Sequence, residues 1–151
     1  KFWIPDDKYH PEWFKHNPIF DNYIYENYSS YVDYFQYKLD FITSEEILAC
    51  IIVLDQFVRN IKRVYLFEMN ERKYFNKALV LSELWIEDGY HLTQPITHTI
   101  FALMPMRHSL NIKIYKKLKS ILSDLSDKHK DNEVFKKFYF HTERCYKKLI
   151  I

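Results

Sequence analysis

The sequence contains 151 residues, carries a formal net charge of +2 and is 48% hydrophobic. This length is sufficient for one domain with a substantial core. A single glycine leaves little material for tight hairpins or phosphate-binding loops, which disfavours β-rich folds and P-loop or Rossmann chemistry. We therefore predict one all-α domain that spans residues 1–151.

The 22 basic and 20 acidic residues nearly balance, so the composition gives only weak support for nucleic-acid binding. The lysine-rich stretches 113–119 and 136–148 are interpreted as solvated helix faces, and a basic surface for an acidic partner or RNA is the alternative. Cys50 and Cys145 are predicted to be buried, reduced thiols. No stretch is long enough for a membrane span. We expect a soluble, intracellular protein of unspecified compartment, and Lys1 in place of Met is compatible with a start further upstream.

Apolar residues at helical spacing predict about six helices. Their approximate ranges are 21–39, 43–61, 71–88, 95–105, 110–125 and 132–149. Helices of these lengths, joined by short turns, are typical of antiparallel helix pairs. Residues 1–20 are rich in aromatic side chains and proline, and we expect them to pack on the helical body. A connection covers residues 62–70.

Residues with capping chemistry mark the predicted helix ends. Asp21 is predicted to cap the first helix, and Thr43 caps the second as part of a capping box. Gly89 suits the left-handed position that follows the third helix. Pro105 is predicted to break or kink the fourth helix, so that residues 106–109 form a corner.

The most apolar run of the chain ends in a polar cluster formed by Asp55, Gln56, Arg59 and Asn60. Asp55 falls on the face that the helix should bury, and Arg59 lies four residues later on the same face. In one interpretation Arg59 binds an anionic ligand, Asp55 orients it, and the two amides add hydrogen bonds. In the other interpretation the cluster is a structural ion pair with caps to a neighbouring helix.

A second polar cluster follows Pro105 and consists of His108 and Ser109. His108 is a candidate general base or ligand-contacting donor, and the alternative is a satisfied structural histidine. Ser109 is better explained as the N-cap of the fifth helix than as a nucleophile. We expect Asp55 to be buried and paired with Arg59 or His108, because an unpaired buried carboxylate is costly. The remaining histidines show no ligand spacing, so neither a metal site nor a cofactor is predicted.

Four motifs occur in order along the chain: Phe2-Trp3-Ile4, Trp13-Phe14, LDQFVRN at residues 54–60 and MPMRHS at residues 104–109. In this order and spacing they resemble the bacterial family DUF924, which characteristically reads FWF, WF, LDQFPRN and MPxxHSE. The resemblance implies an all-helical, tetratricopeptide-like superhelix and no established activity. It also implies a common internal site or structural lock that comprises Asp55, Gln56, Arg59, Asn60, His108 and Ser109.

The chain departs from the family pattern at three places. Val58 replaces the proline, Leu110 replaces the glutamate, and residues 140–145 stand where the family has a histidine-rich, FGRFPHRN-like segment. These departures favour a helical interaction module, a non-catalytic subunit or adaptor of a larger protein assembly. The alternative is an enzyme or small-anion-binding protein, and whether the protein is an enzyme is left open. The alternative function would use Asp55, Arg59 and His108.

Overall fold

The computed structural model describes residues 2–6, 8–41, 43–65 and 69–151. Every regular element within these residues is a helix and none is a strand, so the predicted all-α class is confirmed. Residues 66–68 of the predicted connection lie outside the described residues. No helix in the described part of the chain is both long and apolar enough to cross a membrane.

The elements follow one another with short connections. In chain order they are a 3-10 turn Pro11–Trp13, α1 Pro18–Tyr37, α2 Ser44–Ile51, a π-helical segment Ile52–Phe57, α3 Val58–Val64, α4 Arg72–Glu87, α5 Tyr90–Thr93, α6 Ile96–His108, α7 Ile112–His129 and α8 Glu133–Leu149. The α2 helix, the π-helical segment and α3 follow without a break, and we call residues 44–64 the central helix. The six predicted helices correspond to α1, the central helix, α4, α6, α7 and α8, and α5 adds a single turn.

Two of the predicted helix boundaries are confirmed by hydrogen bonds. The Thr43 hydroxyl oxygen accepts a hydrogen bond from the backbone N–H of Glu46 at 3.2 Å and caps the central helix. Gly89 follows α4 with a φ of 75°, the left-handed conformation that glycine adopts without steric cost. Its backbone N–H donates to the Ile86 carbonyl at 3.0 Å, which closes the last turn of α4.

The predicted cap of the first helix is wrong. Asn17, not Asp21, caps α1, because its side-chain oxygen accepts from the backbone N–H of Ile19 at 3.0 Å. Pro18 then occupies the first helical position, where its missing N–H has no cost. Asp21 lies inside the helix and is buried against the central helix. Its carboxylate therefore serves a tertiary contact rather than the helix end.

The predicted corner at residues 106–109 is also wrong. Pro105 lies inside α6, and the helix continues for three residues to His108. Ser109 is the C-cap of α6, where its hydroxyl donates to the Met106 carbonyl at 2.6 Å. Asn111 caps α7 instead, because its side-chain oxygen accepts from the backbone N–H of Lys113 at 2.9 Å. The helix thus carries His108 one turn further than the proline suggested.

Helix α6 lies at the centre of the packing. It contacts α2, the π-helical segment, α4, α7 and α8, and its residues 99–106 are all buried. On the other side of the central helix, α1 packs along the π-helical segment and α3. One hydrophobic cluster extends from Trp3 to Phe138, so both ends of the chain share the same core.

The N-terminal segment makes three kinds of contact with this helical body and within itself. The Trp13 indole N–H donates to the Trp3 carbonyl at 2.8 Å, and the Trp13 ring contacts Phe101 of α6 edge-on at 4.9 Å between centroids. The Lys137 ammonium of α8 lies 4.2 Å from the centroid of the Tyr9 ring. These contacts place the segment next to the central helix and α6.

Both cysteines are free thiols, and the predicted burial is confirmed for Cys50 and wrong for Cys145. Cys50 is buried in the central helix, and burial raises the pKa of its thiol to about 12. Cys145 on α8 is half-buried. A thiol that stays protonated is a poor nucleophile, so we assign Cys50 to the core.

Candidate functional site

Asp55 is the centre of a polar cluster between the central helix and α6. Its side chain is 1% exposed, and both carboxylate oxygens lie 3.0 Å from Nδ1 of His108. The Gln56 amide donates to Oδ2 at 2.9 Å, and Nη2 of Arg59 lies 3.5 Å from Oδ1. The expected pairing of Asp55 is therefore confirmed with both residues, and the His108 contact joins the predicted second and fourth helices.

A π-helical turn presents this carboxylate. The backbone N–H of Val58 donates to the Val53 carbonyl, five residues earlier, and the turn includes Asp55 and Gln56. Turns of this kind are rare and occur frequently at functional sites. Apolar spacing in the sequence did not predict the π turn, because one extra residue in one turn changes the periodicity only slightly.

The protonation state of the cluster follows from its surroundings. Burial by itself raises the pKa of the Asp55 carboxyl, but His108 and then Arg59 outweigh it and hold the pKa below its usual value. Because an ionised carboxylate only accepts hydrogen bonds, Nδ1 of His108 carries a proton. Nε2 of His108 has no hydrogen-bond partner among the described residues. This nitrogen is therefore available for contact with a ligand.

Arg59 is held by a ring as well as by the carboxylate. Its guanidinium carbon lies 4.3 Å from the centroid of the Phe75 ring of α4. Stacking on an aromatic face fixes the plane of the guanidinium and its donor directions. The Nε atom of Arg59 is buried and has no hydrogen-bond partner within the described part of the chain. Arg59 thus retains a fixed and unused donor.

Asn60 belongs to a neighbouring cluster rather than to the Asp55 cluster. Its amide donates to Oδ1 of the buried Asp21 at 2.8 Å. Nε and Nη2 of Arg63 also donate to the Asp21 carboxylate, both at 2.9 Å, in a bidentate pair. Although burial raises the pKa of Asp21, Arg63 and Asn60 hold it below the usual value. This cluster fastens α1 to α3.

Ser109 also lies outside the Asp55 cluster. Its hydroxyl is used by the end of α6, as described above, and accepts from the backbone N–H of Asn111 at 3.3 Å. The six predicted site residues therefore separate in the structure. Asp55, Gln56, Arg59 and His108 are brought together, Asn60 fastens α1, and Ser109 caps a helix.

Arg107 is a functional candidate that the sequence reasoning missed. Its guanidinium carbon lies 4.7 Å from the centroid of the Phe138 ring, and Nη2 contacts the Met104 sulfur at 3.3 Å. Burial lowers the pKa of this guanidinium. The group nevertheless stays charged, because arginine side chains are not deprotonated in proteins. Nη1 is buried and has no partner among the described residues, where Arg107 also forms no ion pair. Its position beside His108 in the MPMRHS motif was the available signal.

These side chains line a cleft of about 500 Å³ between the N-terminal segment, the central helix and α6. Aromatic rings form part of the wall, contributed by Trp3, Trp13, Phe14 and Phe75. The basic lining residues are Lys15, His16, Arg59, Lys62, Arg63, Arg107 and His108. Gln56, Asn60, Glu71 and Met104 complete the lining.

The cleft carries a surplus of positive charge. Lysine and arginine contribute five charges to its lining. Three carboxylates offset them: Asp21 pairs with Arg63, Asp55 with Arg59 and His108, and Glu71 with Lys62. A formal surplus of two positive charges remains, even with both histidines neutral. Low-dielectric walls concentrate such a field, so the cleft attracts anions.

A metal-binding role has no support in the described part of the chain, because no group of three histidine, cysteine or acidic residues is positioned to hold an ion. The donor set of the cleft is instead composed of guanidinium, imidazole, ammonium and amide groups. Such groups recognise oxyanions through charge-assisted hydrogen bonds.

The fold and the cleft together define an all-α protein with a basic, partly aromatic pocket beside a buried Asp–His–Arg cluster. The chain belongs to the family described as bacterial protein of unknown function (DUF924), whose model matches residues 1–150. This match confirms the resemblance that the four motifs predict. Comparison with curated proteins and with solved structures gave no significant match.

Proposed function

We propose that this protein binds a small anion in the cleft, with Arg59, Arg107 and His108 as the contacting residues. The observation that carries the proposal is the pair of buried guanidinium nitrogens, Nε of Arg59 and Nη1 of Arg107, without hydrogen-bond partners among the described residues. Both arginines line the same cleft. An oxyanion bound between these two side chains would pair with both guanidinium groups.

Energetics favour a ligand over a purely structural role for Arg107. A buried charge is costly unless it is paired and hydrogen-bonded. Arg59 contacts the Asp55 carboxylate at 3.5 Å. Arg107 contacts a sulfur and a ring and forms no ion pair within the described residues, although the charge of Asp55 acts on it from further away. Arg107 is the less compensated of the two cations, and an anion in the cleft would supply the missing charge.

Each member of the Asp55 cluster has a separate part in this proposal. Asp55 orients the imidazole by accepting from Nδ1, which directs the opposite nitrogen away from the carboxylate. Gln56 holds the carboxylate oxygen Oδ2. Protonated His108 then donates to the anion through Nε2. The proposal describes a binding site and assigns no reaction to it.

The experiment is isothermal titration calorimetry of the full chain with sulfate, phosphate and benzoate. We expect at least one anion to bind to the wild type, and Arg107→Met to weaken it by about tenfold or more. Arg144→Met is the matched control, because Arg144 is exposed on α8 and lies outside the cleft. Retention of full affinity in Arg107→Met, or absence of binding to every anion in the wild type, would contradict the proposal.

Arg59→Met separates a ligand contact from a structural tie. If Arg59 mainly serves the ligand, the variant keeps its unfolding midpoint and loses affinity. If Arg59 mainly compensates Asp55, the variant loses a large part of its stability. Urea denaturation followed by circular dichroism, measured beside the titration, distinguishes the two results.

An interaction module, a non-catalytic subunit or adaptor of a larger assembly, is a second proposal. The observation that favours it is the exposed aromatic face of α1, where Tyr34 is 60% and Tyr37 is 72% exposed. Tyr23 and Tyr31 of the same helix are also exposed. Aromatic side chains are enriched at protein interfaces. A tetratricopeptide-like stacking of the helices, which would present such a face, is part of this second proposal.

Size-exclusion chromatography of the native protein tests the second proposal. We expect elution in a complex larger than the chain alone, and a Tyr34→Glu, Tyr37→Glu double variant is expected to elute later, as free protein. Replacement of the exposed Tyr139 on α8 by Glu is the control. Elution of the wild type as a free monomer would contradict the second proposal.

A further inference from the structure

We infer that the ligand of the cleft is a small phosphate monoester whose organic part carries a flat ring, an inference that rests on the proposed anion binding. Three features lead to this class of ligand. They are the number of unused donors, the surplus of charge, and the aromatic part of the wall.

The number of donors fits a phosphate group better than a carboxylate. Nε of Arg59 and Nη1 of Arg107 are buried without partners among the described residues, and Nε2 of His108 is unused there. A carboxylate has two oxygens, whereas a phosphate monoester presents three terminal oxygens that accept strong hydrogen bonds. The guanidinium groups of Arg59 and Arg107 and the imidazole of His108 line one cleft, and each can donate to one phosphate oxygen.

The charge of the cleft agrees with the same group. The formal surplus is two positive charges after the carboxylate partners of Arg59, Lys62 and Arg63 are counted. A phosphate monoester carries roughly −1.5 to −2 at neutral pH, whereas a carboxylate carries one negative charge. Donation through Nε2 requires a protonated His108, which adds one more positive charge to this surplus. A phosphate monoester therefore offsets a larger share of the charge than a monocarboxylate does.

The size of the cleft requires more than an inorganic ion. Its volume is about 500 Å³, which is within the range of pockets that hold organic ligands. The space beyond the arginines is bounded by the N-terminal segment, where the Phe14 ring is 40% exposed. An inorganic phosphate would leave this part of the cleft to water.

The wall in this part suits a flat ring. The Phe14 ring is stacked on Tyr9, with 5.8 Å between centroids and 11° between planes, which fixes its orientation. Trp13 is only 6% exposed and its indole N–H is used by the Trp3 carbonyl, so it adds an apolar edge to the wall. The exposed part of the Phe14 ring is the surface on which a ring of the ligand can stack.

Calorimetry with four probes tests the inference on the full chain: phenyl phosphate, methyl phosphate, inorganic phosphate and benzoate. We expect phenyl phosphate to bind at least about tenfold more tightly than methyl phosphate, because only the former has a ring to stack. We expect it also to bind more tightly than benzoate, which has the ring and one charge. Phe14→Ala should remove the preference for phenyl over methyl phosphate, and Arg107→Met should weaken both.

The outcomes separate this inference from the proposed function. If benzoate binds as tightly as phenyl phosphate, the phosphate assignment is overturned and anion binding stands. Equal affinity for phenyl and methyl phosphate would overturn the inference that the ligand carries a flat ring. A peptide with a central phosphotyrosine that binds more tightly than phenyl phosphate would overturn the assignment to a small molecule. If no probe binds, both the inference and the proposed function fail.

Discussion

Nδ1 of His108 lies 3.0 Å from both carboxylate oxygens of Asp55, across 53 residues of sequence. The contact places a buried carboxylate of the central helix against the end of α6, and Arg59 approaches the same carboxylate from one turn away. A buried carboxylate with two cationic partners gives the interface between the two helices a fixed register, which apolar packing alone specifies less strictly.

The first prediction concerns Asp55 itself. Asp55→Ala is expected to lower the free energy of unfolding by about 3 kcal/mol, because Arg59 and His108 are left without their carboxylate. Asp55→Asn should also weaken stability, since it removes the charge. Asp55→Ala combined with Arg59→Leu should recover part of the loss. Urea denaturation measures all three variants.

The control for this series is Asp127→Ala on the exposed face of α7. We expect this change to stay within about 0.5 kcal/mol of the wild type, as surface substitutions usually do. A double variant that is less stable than Asp55→Ala alone would show that Arg59 stabilises the fold independently of the carboxylate.

The second prediction concerns stability at low pH. The pKa values of Asp21 and Asp55 are lowered in the folded chain, in each case because cationic and hydrogen-bonding partners outweigh burial. Each carboxylate therefore contributes stability that is complete above the unfolded pKa of about 3.9 and is lost as the pH falls through the folded value. We expect urea midpoints to fall steeply below about pH 4.

The Asp21→Asn and Asp55→Asn variants check the source of this dependence. Each variant lacks one titrating carboxylate, so its stability should decline less steeply with acid than that of the wild type. Wild-type and variant profiles that run parallel between neutral pH and pH 3 would assign the acid sensitivity to other groups.

The third prediction concerns Lys77 of α4, whose side chain binds backbone carbonyl groups at the end of α1. Its ammonium donates to the carbonyl oxygens of Phe35, Gln36 and Lys38, each at 2.6 Å. Lys77→Met is expected to lower the free energy of unfolding by about 2 kcal/mol, because hydrogen bonds to a charged group are lost. Hydrogen exchange should accelerate in the last turn of α1.

Lys73→Met is the matched control for Lys77. Lys73 lies one turn earlier on α4, is exposed and contacts the ring of Tyr74 instead of a helix end. Its replacement should leave exchange in α1 unchanged. If Lys77→Met also leaves that exchange unchanged, the ammonium does not hold the end of α1.

The fourth prediction distinguishes the cap of α1 from the buried carboxylate next to it. Asn17→Ala should cost about 1 kcal/mol, and Asn17→Ser should restore most of it, because serine is an effective N-cap. Asp21→Ser should remain destabilised, because a serine hydroxyl does not replace the bidentate pair with Arg63. Thermal denaturation measures the variants, and full stability of Asp21→Ser would contradict the assignment.

Local chemistry in the sequence determined the helices and several of their ends. The Thr43 cap, the left-handed Gly89 and the apolar periodicity of the central helix depend only on residues within about one turn of each other. The all-α class followed from the same local patterns and from the single glycine. Family motifs at residues 54–60 and 104–109 also identified the family from the sequence.

Only the tertiary structure decided how the polar residues are used. Aspartate is a residue type that often caps helices, but the carboxylate of Asp21 pairs with Arg63, 42 residues later. Asn17 therefore caps α1, since it lies at the residue before the proline. Pro105 removes one hydrogen bond, but burial of α6 on several sides offsets that loss and carries the helix on to His108.

The same long-range packing selected the site. The sequence predicted that Asp55 pairs with Arg59 or His108, and the structure pairs it with both. The structure also separated Asn60 and Ser109 from this cluster and brought Arg107 into the cleft. Helical periodicity predicts which face of a helix is buried, whereas the identity of the neighbouring helix depends on packing over the whole chain. For this reason the sequence determined the helices, the buried carboxylate and its two candidate partners, and the tertiary structure determined which other residues line the cleft.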